Sequence, residues 1–167
     1  MTMNGTRLQT SHETDVFPPA AQLRILIVED EAVVALHLRR ELTKLGYTVA
    51  GVASSGKEAL EMITNNFVDL VLMDIHIQGD IDGIETARRI PRYLHVPVIY
   101  LTAYSEDVTL NRASDTHPYG YLIKPFQDRE LHATLKMALI RAKEDEDVRA
   151  NEALLFRAVC TTPIANC

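Results

Sequence analysis

Short apolar runs that stop abruptly on polar residues punctuate the chain. Arg24-Ile25-Leu26-Ile27-Val28 is short, continuous and rich in β-branched residues, which predicts a buried strand rather than a helix. From Ala32 to Leu45 the period changes: Val34, Leu38, Leu42 and Leu45 recur at helical spacing, and Gly46 follows as the C′ residue. Tyr47 to Ala53 returns to strand character. Ser54 or Ser55 can cap a second helix with Ala59, Leu60, Ile63 and Phe67 on its inward face. Asp69 to Met73 is a third strand ending at Asp74, followed by a loop from Ile75 to Asp82 that holds Gly79. Gly83 to Ile90 reads as a short helix stopped by Pro91, and Pro97 to Leu101 as a fourth strand ending at Thr102. Ser105 to Asp115 is a weakly patterned polar helix. Gly120 to Ile123 is a fifth strand ending at Lys124, and Asp128 is placed as the cap of a long final helix.

Strand and helix thus alternate five times, which predicts an α/β fold of parallel strands with right-handed crossovers and helices on both faces. One βα unit per roughly 25 residues over this length is too few units for an eightfold barrel. The natural solution is a flavodoxin-like, doubly wound five-stranded sheet of order 2-1-3-4-5, with an extended C-terminal helix. Its topological switch point lies between strands one and three, outside their carboxyl ends. Strand one ends at Glu29-Asp30 and strand three at Asp74. The acids therefore fall where such a fold takes a ligand.

Composition narrows the field. A hydrophobic fraction of 47% over 167 residues suffices for one packed domain with extensions. The formal charge of -6 gives no bulk attraction to nucleic acid or anionic lipid, and no basic helix-turn-helix is visible. Direct nucleic-acid and membrane binding are therefore not expected. Cys160 and Cys167 form no spaced framework, which points to a cytoplasmic protein, and no finger-like zinc spacing occurs. No apolar stretch reaches the roughly 20 residues of a membrane span. Residues 1–22 read as a flexible polar tail, 23–143 as the folded domain, and 144–167 as a helical linker.

The strand-end residues suit phosphoryl chemistry. Two carboxylates about 4 Å apart repel by roughly 4 kcal/mol at an effective dielectric near 20. Converging acids therefore call for a cation, and an all-oxygen set with room for water suits Mg²⁺ or Mn²⁺. Asp30 and Asp74 are the direct ligands of choice, with the backbone carbonyl of His76 as a third and Glu29 acting through water. Asp74 is the candidate nucleophile, since a carboxylate can accept a phosphoryl group as an acyl phosphate. The Lys124 ammonium and Thr102 hydroxyl are placed to cover phosphoryl oxygens. Taken singly, each residue has a plainer reading: a helix cap for Asp30, a loop start for Asp74, a strand end for Thr102, a solvated charge for Lys124. The ordered set is what carries the signal.

Residues Arg24 to about Lys143 resemble the receiver domain of two-component response regulators. The matching pieces are Ile25-Leu26-Ile27-Val28-Glu29-Asp30, Leu70-Val71-Leu72-Met73-Asp74, Asp82-Gly83, Tyr100-Leu101-Thr102-Ala103 and Tyr121-Leu122-Ile123-Lys124-Pro125-Phe126. The resemblance implies that Asp74 is the phosphoacceptor for a histidine kinase or histidine phosphotransfer protein, with Mg²⁺ at Glu29, Asp30 and Asp74. It implies phosphate contacts from Thr102 and Lys124, a cis Lys124-Pro125 bond, and a switch made of Thr102 and the aromatic Tyr121. It also implies that His76 and Tyr104 flank the route of attacking water. A homodimer across the face formed by the fourth helix, fifth strand and last helix is a further implication.

The loop Ile77 to Gly83 departs from the family, lacking the usual proline and running about one residue longer. Asp80 and Asp82 are read there as solvated loop charges. A phosphohydrolase of the haloacid dehalogenase type would need a second acid two residues after its nucleophile, where this chain has His76. A flavin module would need a phosphate-cradling loop after strand one, which is absent. A degenerate receiver acting as a constitutive scaffold is the remaining alternative.

The final helix shows Leu131, Leu135, Ala138 and Ala142 on one face, then the charged run Lys143 to Asp147. If continuous from Asp128 it would span roughly 45 Å. Leu154, Leu155, Phe156 and Val159 form an apolar patch suited to pairing or to a following segment. The stretch from Leu155 to Ala165 faintly resembles the entry to a PAS sensor domain, so an output downstream is expected.

Overall fold

The computed structural model describes residues 22–103 and 107–160. The N-terminal tail, Tyr104 and the residues after Cys160 lie outside that range. The order along the chain is β1 (Arg24–Val28), α1 (Ala32–Lys44), β2 (Thr48–Ala53), α2 (Gly56–Asn65), β3 (Leu70–Asp74), α3 (Gly83–Arg89), a 3₁₀ turn (Arg92–Leu94), β4 (Val98–Ala103), α4 (Asp107–Ser114), β5 (Gly120–Lys124) and α5 (Asp128–Cys160). The strands pair in parallel in the order β2-β1-β3-β4-β5. This is the flavodoxin-like sheet expected, and the long C-terminal helix is present.

Strand alternation splits the core into two layers. Ile25, Ile27, Leu70, Leu72, Ile99 and Leu101 face α1 and α5, where Leu38, Leu42, Leu131, Leu135 and Ala138 are fully buried against them. Leu26, Val28, Val71, Met73 and Tyr100 face the other way, onto Ala59, Ile63, Ile84 and Ala113 of α2, α3 and α4. Because the central strands are covered on both faces, they read as unbroken apolar runs.

Local chemistry sets the helix ends. Gly46 takes φ 87° just past α1, the left-handed geometry that favours glycine. Ser55 caps α2 through Glu58 N–H, and Glu58 returns a carboxylate oxygen to Ser54 N–H at 2.7 Å, a reciprocal cap. Ile90 is extended before Pro91, which ends α3.

Three expectations need correction. Phe67 does not join the inward face of α2: Asn66 is already extended, and Phe67 is 83% exposed. Asp128 does not cap α5 from outside but is its first residue, paired with His37 at 3.4 Å. Asp82 is not a free loop charge. Its carboxylate caps α3 by accepting Glu85 N–H at 2.7 Å and also binds Arg112 at 2.8 Å. Burial alone would raise the Asp82 carboxyl, but the Glu85 and Arg112 hydrogen bonds hold it below its ordinary value.

Candidate functional site

Parallel register brings the strand ends together. Val28 of β1 pairs with Met73, so Glu29 and Asp74 leave adjacent strands at the same level. Asp74 pairs with Leu101, one residue before Thr102, and Lys124 stands opposite Ala103. Glu29, Asp30 and Asp74 each offer a carboxylate oxygen, and these lie within 4.8 Å of one another. Glu29 and Asp74 are buried, while Asp30 is half-buried.

Lys124 reaches into this cluster from the end of β5. Its Nζ donates to Glu29 Oε2 and to Asp74 Oδ2, both at 2.6 Å. The other Asp74 oxygen, Oδ1, accepts the His76 backbone N–H at 2.9 Å. Glu29 Oε1 accepts the Glu31 N–H at 3.1 Å. Every carboxylate oxygen of the two buried acids therefore has a donor. The His76 side chain itself is exposed. The Lys124-Pro125 peptide bond is cis.

Electrostatics follow from this packing. Burial raises the Glu29 carboxyl above its ordinary value; the Lys124 hydrogen bond pulls it back, and the neighbouring Asp74 charge pushes it up again. Burial works to lower Lys124, but its hydrogen bonds to Asp74 and Glu29 prevail and raise it. One ammonium among three carboxylates leaves an excess of negative charge. A compact, all-oxygen donor set with that excess has the chemistry of a hard divalent cation site that keeps some waters.

The remaining sequence candidates sit around this centre. Thr102 is buried at the end of β4, and its hydroxyl donates to the Ala103 carbonyl at 3.2 Å rather than to an acid. Tyr121 is 36% exposed, its ring 6.0 Å from that of Tyr100. Tyr100 is fully buried and bonded to the Thr116 hydroxyl at 2.8 Å. Tyr104 lies outside the described residues.

Sequence reasoning gave no role to Gly83. A Cβ there would come 2.0 Å from the Asp74 carbonyl oxygen, so α3 starts hard against the backbone of the central acid. The signal was the Asp82-Gly83 pair, a cap followed by a residue without a side chain.

Comparison with known proteins agrees with this geometry. The family model for the response regulator receiver domain matches residues 25–136. The transcriptional regulatory protein PdtaR of Mycobacterium tuberculosis is 36% identical over 125 residues, which is 75% of this chain and 60% of that protein. The chain spans about half to three fifths of the length of the curated relatives it matches first. Among solved structures, the signal receiver domain of a modulated diguanylate cyclase from Desulfovibrio desulfuricans G20 is similar at TM-score 0.69 and 38% identity, covering 73% of this chain and 97% of that one. The N-terminal domain of a response regulator/sensory box/GGDEF three-domain protein from Carboxydothermus hydrogenoformans is similar at TM-score 0.67 and 34% identity, covering 73% and 98%.

Proposed function

We propose that this chain, which belongs to the response regulator receiver family, is a phospho-acceptor switch in which Asp74 takes a phosphoryl group from a histidine kinase or histidine phosphotransfer protein. The observation that carries this reading is the Lys124 ammonium, held 2.6 Å from both Glu29 and Asp74 by elements far apart in sequence. Buried ion clusters are poor sources of stability and gather at functional sites.

The chemistry is nucleophilic substitution at phosphorus. An Asp74 oxygen attacks the phosphorus of a phosphohistidine. The P–N bond breaks, and its electron pair leaves with the donor imidazole, which takes a proton from solvent. Asp74 is presented by two fixed donors, the His76 N–H and Lys124. When the phosphoryl group arrives, the Lys124 ammonium shifts from the carboxylate oxygen to a phosphoryl oxygen. Mg²⁺ or Mn²⁺, held by Glu29, Asp30, Asp74 and the His76 carbonyl, would supply positive charge beside the phosphoryl oxygens. Resetting is hydrolysis: water adds to phosphorus, the bond to Asp74 breaks, and inorganic phosphate leaves.

The switch follows from the new charge. A phosphoryl group brings roughly two negative charges and three acceptors. The Thr102 hydroxyl, which now donates to Ala103 O, turns toward it. The space Thr102 vacates admits the Tyr121 ring, now partly exposed. That movement alters the surface formed by α4, β5 and α5, where a second copy of the chain would pair. The part of α5 from Glu144 to Cys160 then acts as a helical linker that carries the change onward. The intact acid set, Thr102 and Lys124 weigh against a constitutive scaffold. His76 in place of a second acid weighs against a phosphohydrolase.

Incubation with acetyl phosphate and Mg²⁺, read by intact-mass spectrometry, tests the proposal. Wild type gains one phosphoryl group, and Asp74→Asn gains none. An unmodified wild type, or equal labelling of Asp74→Asn, contradicts it.

A further inference from the structure

Glu41 is the buried acid that the phosphoryl site leaves unused. It lies on the inward side of α1 beside Leu38 and Leu42, where the helical pattern calls for an apolar residue. His37 stands one turn earlier on the same helix face. Asp128, far along the chain from α1, is the first residue of α5. His37, Glu41 and Asp128 each offer one ligand atom, and these atoms lie within 4.8 Å of one another. His37 Nε2 is 3.4 Å from Asp128 Oδ1. The His37 ring also packs on Phe126, with centroids 6.0 Å apart.

We propose that His37, Glu41 and Asp128 form a second metal site, distinct from the acidic pocket at Asp74, that takes a divalent transition ion of the zinc type. One imidazole and two carboxylates are three protein ligands, the complement of a tetrahedral zinc site that keeps water in its fourth position. Ligands about 2.0–2.1 Å from a tetrahedral ion stand about 3.4 Å from each other. The His37–Asp128 pair already has that separation. The imidazole selects for such an ion over Mg²⁺, which prefers oxygen throughout. Glu41 also pairs with Lys44, but a carboxylate has two oxygens and can hold both partners. Without an ion, a His37–Asp128 pair and a Lys44–Glu41 pair stand side by side; a bound ion joins all three ligand atoms at one centre. The bound ion clamps α1 to the start of α5, three residues after the Lys124-Pro125 bond, and so steadies the turn that presents Lys124.

The site is independent of the phosphoryl reading and is tested in a background where Mg²⁺ is saturating. Zinc titration is followed by calorimetry and by thermal melting, for wild type, His37→Ala and Asp128→Asn. His37 and Asp128 are both substantially exposed, so neither substitution empties the core; circular dichroism and the zinc-free melt of each variant report that the domain is folded. Wild type binds one Zn²⁺ per chain and melts higher with it. Each variant loses at least about tenfold in affinity and the melting shift with it. Absence of zinc binding by wild type overturns the site. So does affinity retained in either variant, which would assign the ion to other histidines or to the cysteines.

Discussion

Lys124 sets a single positive charge against two buried carboxylates, and that imbalance has measurable consequences. Glu29 is raised by burial and by Asp74 despite the Lys124 hydrogen bond, so the folded state binds its proton more tightly than the unfolded state does. Ionised Glu29 therefore costs stability above its folded value, and the cost is relieved as pH falls through it. Lys124 acts at the other end of the scale. Its value is raised, so its contribution is complete below the ordinary lysine value and disappears as pH rises through the folded one. Glu29→Gln should thus raise stability in Mg²⁺-free buffer at neutral pH by something on the order of 1 kcal/mol. It should also flatten the acid side of the stability profile and weaken Mg²⁺ binding. Urea unfolding across pH checks the first two and Mg²⁺ titration the third; a stability loss in Mg²⁺-free buffer would mean that Glu29 is a structural acid.

At the scale of elements, α5 divides into a part docked on the sheet and a part with exposed apolar side chains. Leu131, Leu135 and Ala138 are fully buried against the sheet, whereas Val148, Leu154, Leu155 and Phe156 are all more than half exposed. The helix of 33 residues is about 50 Å long and runs without interruption through its charged middle. Lys143 bridges there to Glu146 and Asp147 at 3.1 and 3.3 Å, and Tyr119 binds Asp145 at 2.6 Å. Ala150→Pro removes a helical hydrogen bond and clashes with the carbonyl of Glu146, a local cost of about 3 kcal/mol. Circular dichroism should lose the signal of the last turns, while phosphorylation of Asp74 proceeds as in wild type. Lost phosphorylation would show that the distal helix supports the site.

The same elements show what a sequence conveys. Strand ends were legible because buried parallel strands are continuous apolar runs, and the first polar residue after each is unmistakable. Glu29, Asp30, Asp74, Thr102 and Lys124 all fell out of that rule. Phe67 misled because a helical spacing says nothing about where the backbone leaves the helix, and Asn66 leaves it one residue earlier. Asp82 and Asp128 misled because a cap depends on backbone angles that composition does not encode. His37, Glu41 and Asp128 carry no common motif. Only the docking of α5 beside α1 brings them together.

For the whole molecule, topology does the gathering. The order β2-β1-β3-β4-β5 sets Glu29-Asp30 and Asp74 on neighbouring strands at the point where the connections reverse direction. Helices cover both faces, so the strand ends are the natural opening for a polar ligand. Among the described residues no helix is long and apolar enough to cross a membrane. No buried side-chain nitrogen or oxygen among them lacks a partner, so the charge excess at the acidic pocket is a feature of a fully bonded structure.

Chemical trapping of the phosphorylated residue tests the central claim most directly. The protein is phosphorylated with acetyl phosphate and Mg²⁺, then reduced with borohydride, which converts an aspartyl phosphate to homoserine, and sequenced by mass spectrometry. Homoserine at position 74 is the predicted result. An intact Asp74 with homoserine or phosphate at another position would contradict the assignment.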